Sequence, residues 1–534
     1  MAEDIADILI IGAGASSAAA AWSLADTRMR IICLEQGDWM NPSEYPSNSK
    51  QWEVLRQVDY NQSPNIRKRE TDYPINEEDS AVSIANFNGV GGGTILYSAH
   101  FPRLKPSDFR VKSMDGVADD WPIDYKTLDP YFAQNDRNMG VSGLAGDPAI
   151  PWHEPPLPPI PIGRMGEAMG RGLNKLGWHW WPSDAAIISE DYEGRGKCLN
   201  LGPCNSGCAQ GAKSSVDVAY WPVNQRLGVE LRTRCRVSQI LVDDNDMATG
   251  VLYFDENGVE HLQRAEIVIM ACNGVGTPRL LLNSPSAGFP DGLANRSGLV
   301  GKNLMFHPIG FVEGYLDQPL DSHLGPQGTC ILSQEFYETD PARDFVRGYS
   351  LQIVRGQPPA SIAVSGTQRG DIPWGARHHE AYQKYVGRSV MMAVMCEDLP
   401  ELCNTVTLDP ELTDSNGIPA PKITYRFSEN SKRMLQHGLQ KGTEAMEAAG
   451  AFKVYTMNQV RDTGWHLMGT ARMGTDPENS VVNEWGRSHD VKNLFIIDGS
   501  IFVTCGAVNP TTTIQALALY VADSIKKNLA NLFD

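Results

Sequence analysis

The sequence has no apolar run near the roughly 20 residues that a membrane-spanning helix needs, because Gly, Asp or Arg interrupts the longest candidates. It begins Met1-Ala2-Glu3-Asp4 and lacks the basic start and small-residue cleavage site of a secretory signal. Positive charge is also scarce, since 46 Lys and Arg stand against 64 Asp and Glu, giving a net charge of −18. These absences predict a cytoplasmic protein without a membrane span, and they argue against nucleic acid or an anionic membrane as a partner.

Cysteine is too sparse for a disulfide framework. Ten cysteines in a chain of 534 residues without a secretory signal are interpreted as free thiols or metal ligands. The length exceeds what one hydrophobic core usually organises, so we expect two domains that can interleave along the sequence.

A strand, a glycine-rich turn and a helix are predicted at the start of the chain. Residues 7–11 form an apolar, β-branched run typical of a strand buried on both faces of a parallel sheet, and residues 18–25 favour a helix. Between them the backbone N–H groups of Gly12-Ala13-Gly14-Ala15-Ser16-Ser17 can face a pyrophosphate. A second strand, residues 31–34, ends at Glu35, about 20 residues after the glycines, as expected of a ribose-binding carboxylate. This order predicts dinucleotide binding, with Ser17 in place of the usual third glycine.

A second glycine cluster, residues 88–94 (NGVGGGT), lies far from the first. Glycine has no Cβ and lets a backbone run close to a flat ligand, so this loop could cover a diphosphate or a flavin edge; the alternative is a flexible turn. Further on, residues 265–271 predict another buried strand. The helix after it is predicted to have Thr277 as N-cap and Pro278 as its first residue.

Two C-terminal blocks carry further candidate residues. His466 lies among small and apolar residues, where a lone histidine is more often packed in the core than catalytic. Residues 493–497 predict a strand that ends at Asp498 and Gly499. Apolar residues then recur at helical spacing, which predicts a helix with Asn509 as N-cap and Pro510 as its first residue. Free N–H groups and a partial positive charge at its tip would favour a negatively charged ligand there.

Taken in this order, the blocks resemble the glucose-methanol-choline oxidoreductase family almost end to end. The resemblance implies FAD rather than NAD, with His466 as the active-site base and Asn509 as donor to the substrate oxygen. A neutral imidazole, whose pKa is near ~6.5, suits the removal of an alcohol proton. Leu96 occupies the position at which some members attach the flavin covalently and His100 is displaced from it, so we expect non-covalent FAD. The implied cofactor-binding residues are Gly12, Gly14, Ala15, Ser16, Glu35, Gly91, Gly92, Thr94, Val237, Asp498, Gly499, Asn509, Pro510 and Thr511.

The expected architecture is an α/β fold in which a Rossmann-like FAD-binding domain is interleaved with an antiparallel-sheet substrate-binding domain. The FAD-binding domain is predicted to comprise residues 1–150, 196–308 and 453–534, and the substrate-binding domain residues 309–452. Residues 151–195, rich in Pro and Trp, connect them. Within the first domain, residues 229–264 predict a small meander with a hairpin turn at 255–258. In the second, the predicted antiparallel strands are residues 311–315, 348–354, 390–395 and 422–425, and Met391, Met392 and Met395 are predicted in the core.

The predicted reaction is oxidation of a primary or secondary alcohol, such as a sugar, glycoside or aryl alcohol, with the hydride passing to flavin N5 and the proton to His466. Oxygen, a quinone or a redox protein remain open as electron acceptors. Two alternatives remain: a hydroxynitrile-type lyase that keeps FAD as a scaffold, and an electron-transfer dehydrogenase subunit with an Fe–S cluster. Cys198, Cys204 and Cys208 have a spacing that such a cluster could use, although we favour unligated thiols and expect no other metal site.

Overall fold

A computed structural model of the chain describes residues 4–326 and 328–529, apart from the side chain of Asn48. Met1, Ala2 and Glu3, which entered the expectation about a leader, and residues 530–534 lie outside the described part. The strands are β1 (Ile5–Ile11), β2 (Ile31–Leu34), β3 (Asn76–Ser80), β4 (Trp181–Pro182), β5 (Glu230–Arg232), β6 (Arg236–Val242), β7 (Ala248–Phe254), β8 (Glu260–Met270), β9 (Ile309–Leu316), β10 (Thr329–Ser333), β11 (Tyr349–Val354), β12 (Ser389–Cys396), β13 (Thr405–Thr413), β14 (Pro419–Tyr425), β15 (Ala451–Met457) and β16 (Leu494–Ile496).

The α-helices lie between these strands and at the end of the chain. They are α1 (Ala15–Leu24), α2 (Trp52–Leu55), α3 (Pro64–Arg67), α4 (Val111–Asp115), α5 (Tyr125–Met139), α6 (Gly163–Leu176), α7 (Val216–Ala219), α8 (Trp221–Arg226), α9 (Asn273–Leu282), α10 (Pro359–Gln368), α11 (His378–Gln383), α12 (Glu429–Ala448) and α13 (Thr511–Asn528). Within the described ranges, no helix combines the length and apolarity that a membrane span requires. The predicted α/β class is confirmed.

A seven-stranded sheet carries the first glycine loop. Its order is β5-β2-β1-β8-β7-β6, and β16 pairs with the last residues of β8. The strands β5, β2, β1, β8 and β16 are parallel, whereas β6, β7 and β8 form the antiparallel meander expected from residues 229–264. One detail differs, because the first short strand of that segment, β5, pairs in parallel with β2 instead of joining the meander.

Both faces of the seven-stranded sheet are buried. Along β1, Leu9 and Ile11 pack into one apolar cluster, while Ile8 and Ile10 pack into a second cluster on the opposite face. Side chains alternate between the faces of a strand, so an unbroken apolar run is what a doubly covered strand requires. The C-terminal helix α13 packs against α1 on one of these faces.

A second sheet has six strands in the order β15-β9-β12-β11-β10-β4, and neighbouring strands pair antiparallel. Three of the four predicted strands belong to it. The fourth was assigned to the wrong sheet: residues 422–425 lie in β14, which pairs with β13 and in parallel with β3. An apolar-polar alternation indicates a half-buried strand but does not say which partner it will pair with. The proposed domain boundaries remain a prediction.

Two predicted helix starts are wrong. Helix α9 begins at Asn273, so Thr277 and Pro278 lie inside it, and the Thr277 hydroxyl donates to Asp498 Oδ2 (2.6 Å) instead of capping the helix. Helix α13 begins at Thr511 with Pro510 in the N-cap position. Asn509 makes no cap because its side-chain oxygen accepts hydrogen bonds from other side chains. In both cases tertiary contacts override the local capping preference.

Candidate active site

The two glycine loops touch each other at one end of the seven-stranded sheet. Gly91 N donates to Ala13 O (2.9 Å), and a Cβ on Gly92 would lie 2.9 Å from Gly14 Cα. Gly92 also has a φ of +51°, which a side chain would disfavour. The absence of side chains therefore lets two segments that are distant in sequence form one continuous backbone surface.

This surface lines a cavity of about 640 Å³. The predicted cofactor-binding residues that line it are Gly12, Gly14, Ala15, Ser16, Glu35, Gly92, Thr94, Val237, Asp498, Gly499, Asn509, Pro510 and Thr511, and His466 lines it as well. Gly91 is the exception, since it contributes to the contact between the loops and not to the cavity wall.

Two buried carboxylates shape the cavity through backbone contacts. Glu35 Oε2 accepts from Ala13 N and Glu35 Oε1 from Gly37 N, each at 2.8 Å. Asp498 Oδ2 accepts from Asn273 N (3.1 Å), and its Oδ1 accepts from Ser500 N (2.9 Å). A carboxylate offers about four acceptor sites, so Glu35 retains capacity for a ligand hydroxyl while it orders the first loop.

The cavity fits a polar dinucleotide. Asn86 Oδ1, Asn205 Oδ1 and Asn283 Nδ2 are buried, belong to lining residues, and have no hydrogen-bond partner among the described residues. A Cβ built on Gly14 would meet no atom within 4 Å, so this backbone faces open space. Buried polar atoms without partners are costly, and a ligand with hydroxyl, phosphate and ring-nitrogen groups would satisfy them.

An antiparallel contact between two irregular segments brings His307 opposite His466. Met305 and Met468 exchange both backbone hydrogen bonds, at 2.9 and 3.2 Å. His307 lies two residues after Met305 and His466 two residues before Met468, and their Nδ1 atoms are 2.8 Å apart. His307 Nε2 lies 3.0 Å from Gly506 O, and a carbonyl only accepts, so His307 Nε2 carries a proton.

Proton positions on the two rings follow from that anchor. When His307 is neutral its Nδ1 is an acceptor, so His466 Nδ1 is the donor and His466 Nε2 keeps a free lone pair. Burial lowers the pKa of His307 to about 4. Burial lowers the pKa of His466 well below 6.5, and the neighbouring His307 and His100 lower it further. The arrangement therefore presents a neutral imidazole with a bare nitrogen to the cavity.

Asn509 faces this nitrogen. Its Nδ2 lies 3.4 Å from His466 Nε2, and its Oδ1 lies 2.7 Å from His100 Nδ1 and 3.0 Å from Gln352 Nε2. The other nitrogen of His100 is hydrogen-bonded to the Ser183 hydroxyl. Asn509 and His466 thus place an amide donor and an imidazole acceptor side by side.

A buried ion cluster supports the loop before Asn509. The Arg347 guanidinium contacts Asp108 (2.7 Å), Asp115 (2.9 Å) and Glu397 (2.8 Å). Tyr337 then links the cluster to the loop, because its hydroxyl donates to Asp108 Oδ2 (2.8 Å) and accepts from Ala507 N (3.0 Å). The ion cluster therefore holds the backbone at Ala507 through Tyr337.

Apolar side chains from the six-stranded sheet form the wall near the two histidines. They are Ile309, Phe311, Met391, Ala393 and Met395, joined by Trp465 from the segment before His466. The prediction of core positions is confirmed for Met392 and Met395, which are buried in apolar clusters, although Met395 also lines the cavity; it is wrong for Met391, which is half-buried and lines the cavity. Side chains alternate between the faces of a strand, so one face of β12 serves the core and the other the cavity.

The three clustered cysteines, Cys198, Cys204 and Cys208, are half-buried and form no disulfide within the described residues. Cys198 Sγ accepts from Asn200 N (3.4 Å), and Cys208 Sγ accepts from Lys213 N (3.5 Å). In the part of the chain that the structure covers, no three His, Cys, Asp or Glu side chains are grouped so as to hold a metal ion.

Sequence reasoning missed three residues beside the candidate pair. His307 and Gln352 contact it from segments more than 100 residues away, and neither lies in a recognisable motif. His100 was noted only as displaced from a flavin-attachment position, yet its ring contacts Asn509. No local signal could have found these contacts, because they exist only after distant segments have packed.

The cavity joins a strand–glycine turn–helix unit, which is typical of dinucleotide-binding proteins, to a neutral imidazole and an amide, as an oxidoreductase site requires. The chain belongs to the GMC oxidoreductase family: the N-terminal family model matches residues 6–309, and the C-terminal model matches residues 400–518. This family is FAD-dependent, and the protein is an oxidoreductase of the kind that acts on alcohol groups.

Matches to similar proteins cover nearly the whole chain. 2-Methyl-1,2-propanediol dehydrogenase of Mycolicibacterium austroafricanum is 40% identical, covering 99% of this chain and 97% of the relative. The fructose dehydrogenase large subunit of Gluconobacter japonicus is 28% identical, with 98% of each chain covered. The crystal structure of pyridoxine 4-oxidase from Mesorbium loti matches with a TM-score of 0.64 at 17% identity, over 98% of this chain and 99% of that one, and shows the same fold.

Proposed function

We propose that this protein oxidises a small alcohol with non-covalently bound FAD, using His466 as the base and Asn509 as the donor to the substrate oxygen. The observation that carries the proposal is the 3.4 Å approach of Asn509 Nδ2 to an unprotonated His466 Nε2. An alcohol hydroxyl complements this pair, because its oxygen can accept from the amide while its proton is donated to the imidazole.

The protein groups act on the hydroxyl in concert. Asn509 donates to the oxygen and stabilises the negative charge that develops there, as His466 Nε2 takes the proton. His307 Nδ1 accepts the hydrogen bond from His466 Nδ1–H, which keeps His466 in the tautomer whose Nε2 can take a proton. When bound, FAD supplies the hydride acceptor at N5.

The cavity residues predicted from the glycine motifs would hold the cofactor. The first and second loops would contact the diphosphate, Glu35 the ribose, and the N-terminus of α13 the flavin ring, where its partial positive charge favours negative charge on the ring. Non-covalent binding is supported by two features: apolar Leu96 lines the cavity, and both ring nitrogens of His100 have hydrogen-bond partners.

The apolar wall supports an alcohol with an aliphatic or aryl substituent over a free sugar. Phe311 and Met391 offer contact area but no donors for the many hydroxyls of a sugar, and the indole N–H of Trp465 is already donated to Gln62 Oε1 (2.7 Å). The name of the relative at 40% identity agrees with this inference, since it specifies a branched aliphatic diol.

An anaerobic reduction experiment tests the proposed function. The purified protein is mixed without oxygen with 2-methyl-1,2-propanediol, simple aliphatic alcohols, benzyl alcohol and glucose, and the flavin absorbance is followed. We expect the aliphatic or aryl alcohols to bleach the flavin faster than glucose. If no alcohol bleaches it, or if no yellow cofactor is present, the proposal is wrong. Admission of air afterwards shows how fast oxygen restores the colour.

The pH dependence of reduction is expected to be shallow on the acidic side. Because the pKa of His466 lies well below 6.5, the base is already deprotonated at about pH 6, and flavin reduction should be nearly as fast there as at about pH 8. The rate should fall only at lower pH, as His466 takes a proton. Rapid-mixing measurements with a non-ionisable alcohol report this profile for the enzyme alone. A rate that halves near pH 6.5 would contradict it.

A further inference from the structure

Two consecutive carbonyl groups, those of Gly506 and Ala507, each begin a hydrogen-bond chain that ends at the candidate catalytic pair. The first chain runs from Gly506 O through His307 to His466, as described above. The second starts when the Ser350 hydroxyl donates to Ala507 O at 2.7 Å. Carbonyl oxygens only accept, so the direction of every later bond is determined from these two points.

Ser350 sets the orientation of the Gln352 amide. The single hydroxyl proton of Ser350 is used on Ala507 O, so Ser350 Oγ accepts from Gln352 Nε2 at 3.2 Å. The opposite atom, Gln352 Oε1, accepts from the Thr329 hydroxyl at 3.3 Å. The hydrogen bonds at both ends of the amide therefore give the same orientation, in which Gln352 Nε2 is directed at Asn509.

The orientation of Asn509 follows from that of Gln352. The Asn509 atom 3.0 Å from Gln352 Nε2 must be an acceptor, and this is Oδ1. His100 Nδ1, at 2.7 Å from the same oxygen, is then a donor, so His100 Nε2 accepts from the Ser183 hydroxyl. The Asn509 NH₂ group is thereby left on the side of His466.

We propose that Gln352 and His100 are positioning residues that hold the Asn509 amide with its donor side towards the substrate oxygen. This inference rests on the proposed function of Asn509. A free asparagine amide can present either its oxygen or its nitrogen, and the oxygen would repel a developing alkoxide. Two donors on Oδ1 remove that ambiguity before the alcohol binds.

The decisive variant is Gln352→Glu, which keeps the shape of the side chain and reverses its hydrogen-bonding character. A carboxylate beside Asn509 accepts from Nδ2, so the Asn509 amide turns over and its oxygen faces His466 and the substrate; neutral His100 then changes tautomer, with Nδ1 accepting from Nδ2 and Nε2 donating to the Ser183 hydroxyl. We expect the rate of flavin reduction at saturating alcohol to fall about 10²–10³-fold, the effect of losing one donor to an oxyanion. Alcohol affinity should change much less, because the donor acts mainly as charge develops. Gln352→Met, which removes the donor without reversing it, should slow reduction less because His100 still holds Oδ1.

A double-mutant cycle separates this role from a general structural one. In the Asn509→Ala background, Gln352→Glu should cause no further loss of rate, because no amide remains to be oriented. If Gln352→Glu slows reduction equally in both backgrounds, or if it matches Gln352→Met, the inference is wrong. FAD content, read from the flavin absorbance, shows that each variant has folded. If His466→Ala and Asn509→Ala do not slow reduction, the proposed function itself fails.

Discussion

Replacing His466 by alanine is expected to slow flavin reduction by an alcohol about 10²–10⁴-fold, the usual contribution of a general base. The physical reason is that an alcohol proton is too weakly acidic to leave at neutral pH without an acceptor. His466 Nε2 is the nitrogen left unprotonated by the chain from Gly506 O. FAD binding should persist, because the two glycine loops, Glu35 and the start of α13 line the cavity independently of the His466 side chain. Stopped-flow absorbance under anaerobic conditions measures the rate.

A surface histidine provides the matched control. His261 lies on β8, is paired with Asp255 at 2.9 Å and has a side chain 42% exposed, outside the cavity wall. In the His261→Ala variant, the alcohol should reduce the flavin at the wild-type rate. If His466→Ala reduces it as fast as His261→Ala, another group takes the proton and His466 is not the base.

Replacing Arg347 by methionine is expected to lower the free energy of unfolding by about 3–5 kcal/mol, as is typical when one partner of a buried ion pair is removed. Arg347 is fully buried and neutralises Asp108, Asp115 and Glu397; methionine preserves much of its volume but leaves three carboxylates without a cation. Burial already raises the pKa of Glu397, to about 7. The loss of stability should shrink as the pH is lowered, because the stranded carboxyl groups can then be protonated.

Urea denaturation of the holoenzyme at two pH values measures this effect. Arg164→Met is the control, since Arg164 forms an exposed pair with Asp321 at 3.3 Å, and exposed pairs contribute little. A change for Arg347→Met as small as that for Arg164→Met would show that the buried cluster does not stabilise the fold.

Local patterns predicted the parts of the fold that depend on neighbouring residues. The apolar run of β1, the glycine turn after it and the buried carboxylate of Glu35 are encoded within about 30 residues, and a strand–turn–helix unit of this kind is recognisable from sequence. The family resemblance added His466 and Asn509, which line the same cavity.

Contacts between distant segments could not be predicted in this way. His307 is brought to His466 by the isolated β-bridge between Met305 and Met468, and Gln352 contacts Asn509 across 157 positions of sequence. The same kind of contact explains the wrong helix starts, since Asp498 takes the Thr277 hydroxyl and Gln352 takes the Asn509 oxygen. Helix-capping propensity describes which hydrogen bonds a side chain prefers when no other partner is near. Buried polar side chains such as these are offered other hydrogen-bond partners by distant segments.

The packing of α13 against α1 has a consequence for biosynthesis. The first glycine loop is synthesised before residues 509–511, yet those residues and the start of the following helix line the same cavity. A nascent chain that has already made both glycine loops still lacks one wall of the pocket. We therefore expect the complete pocket to form only after the start of α13, which includes the lining residues Thr511 and Ile514, has been synthesised.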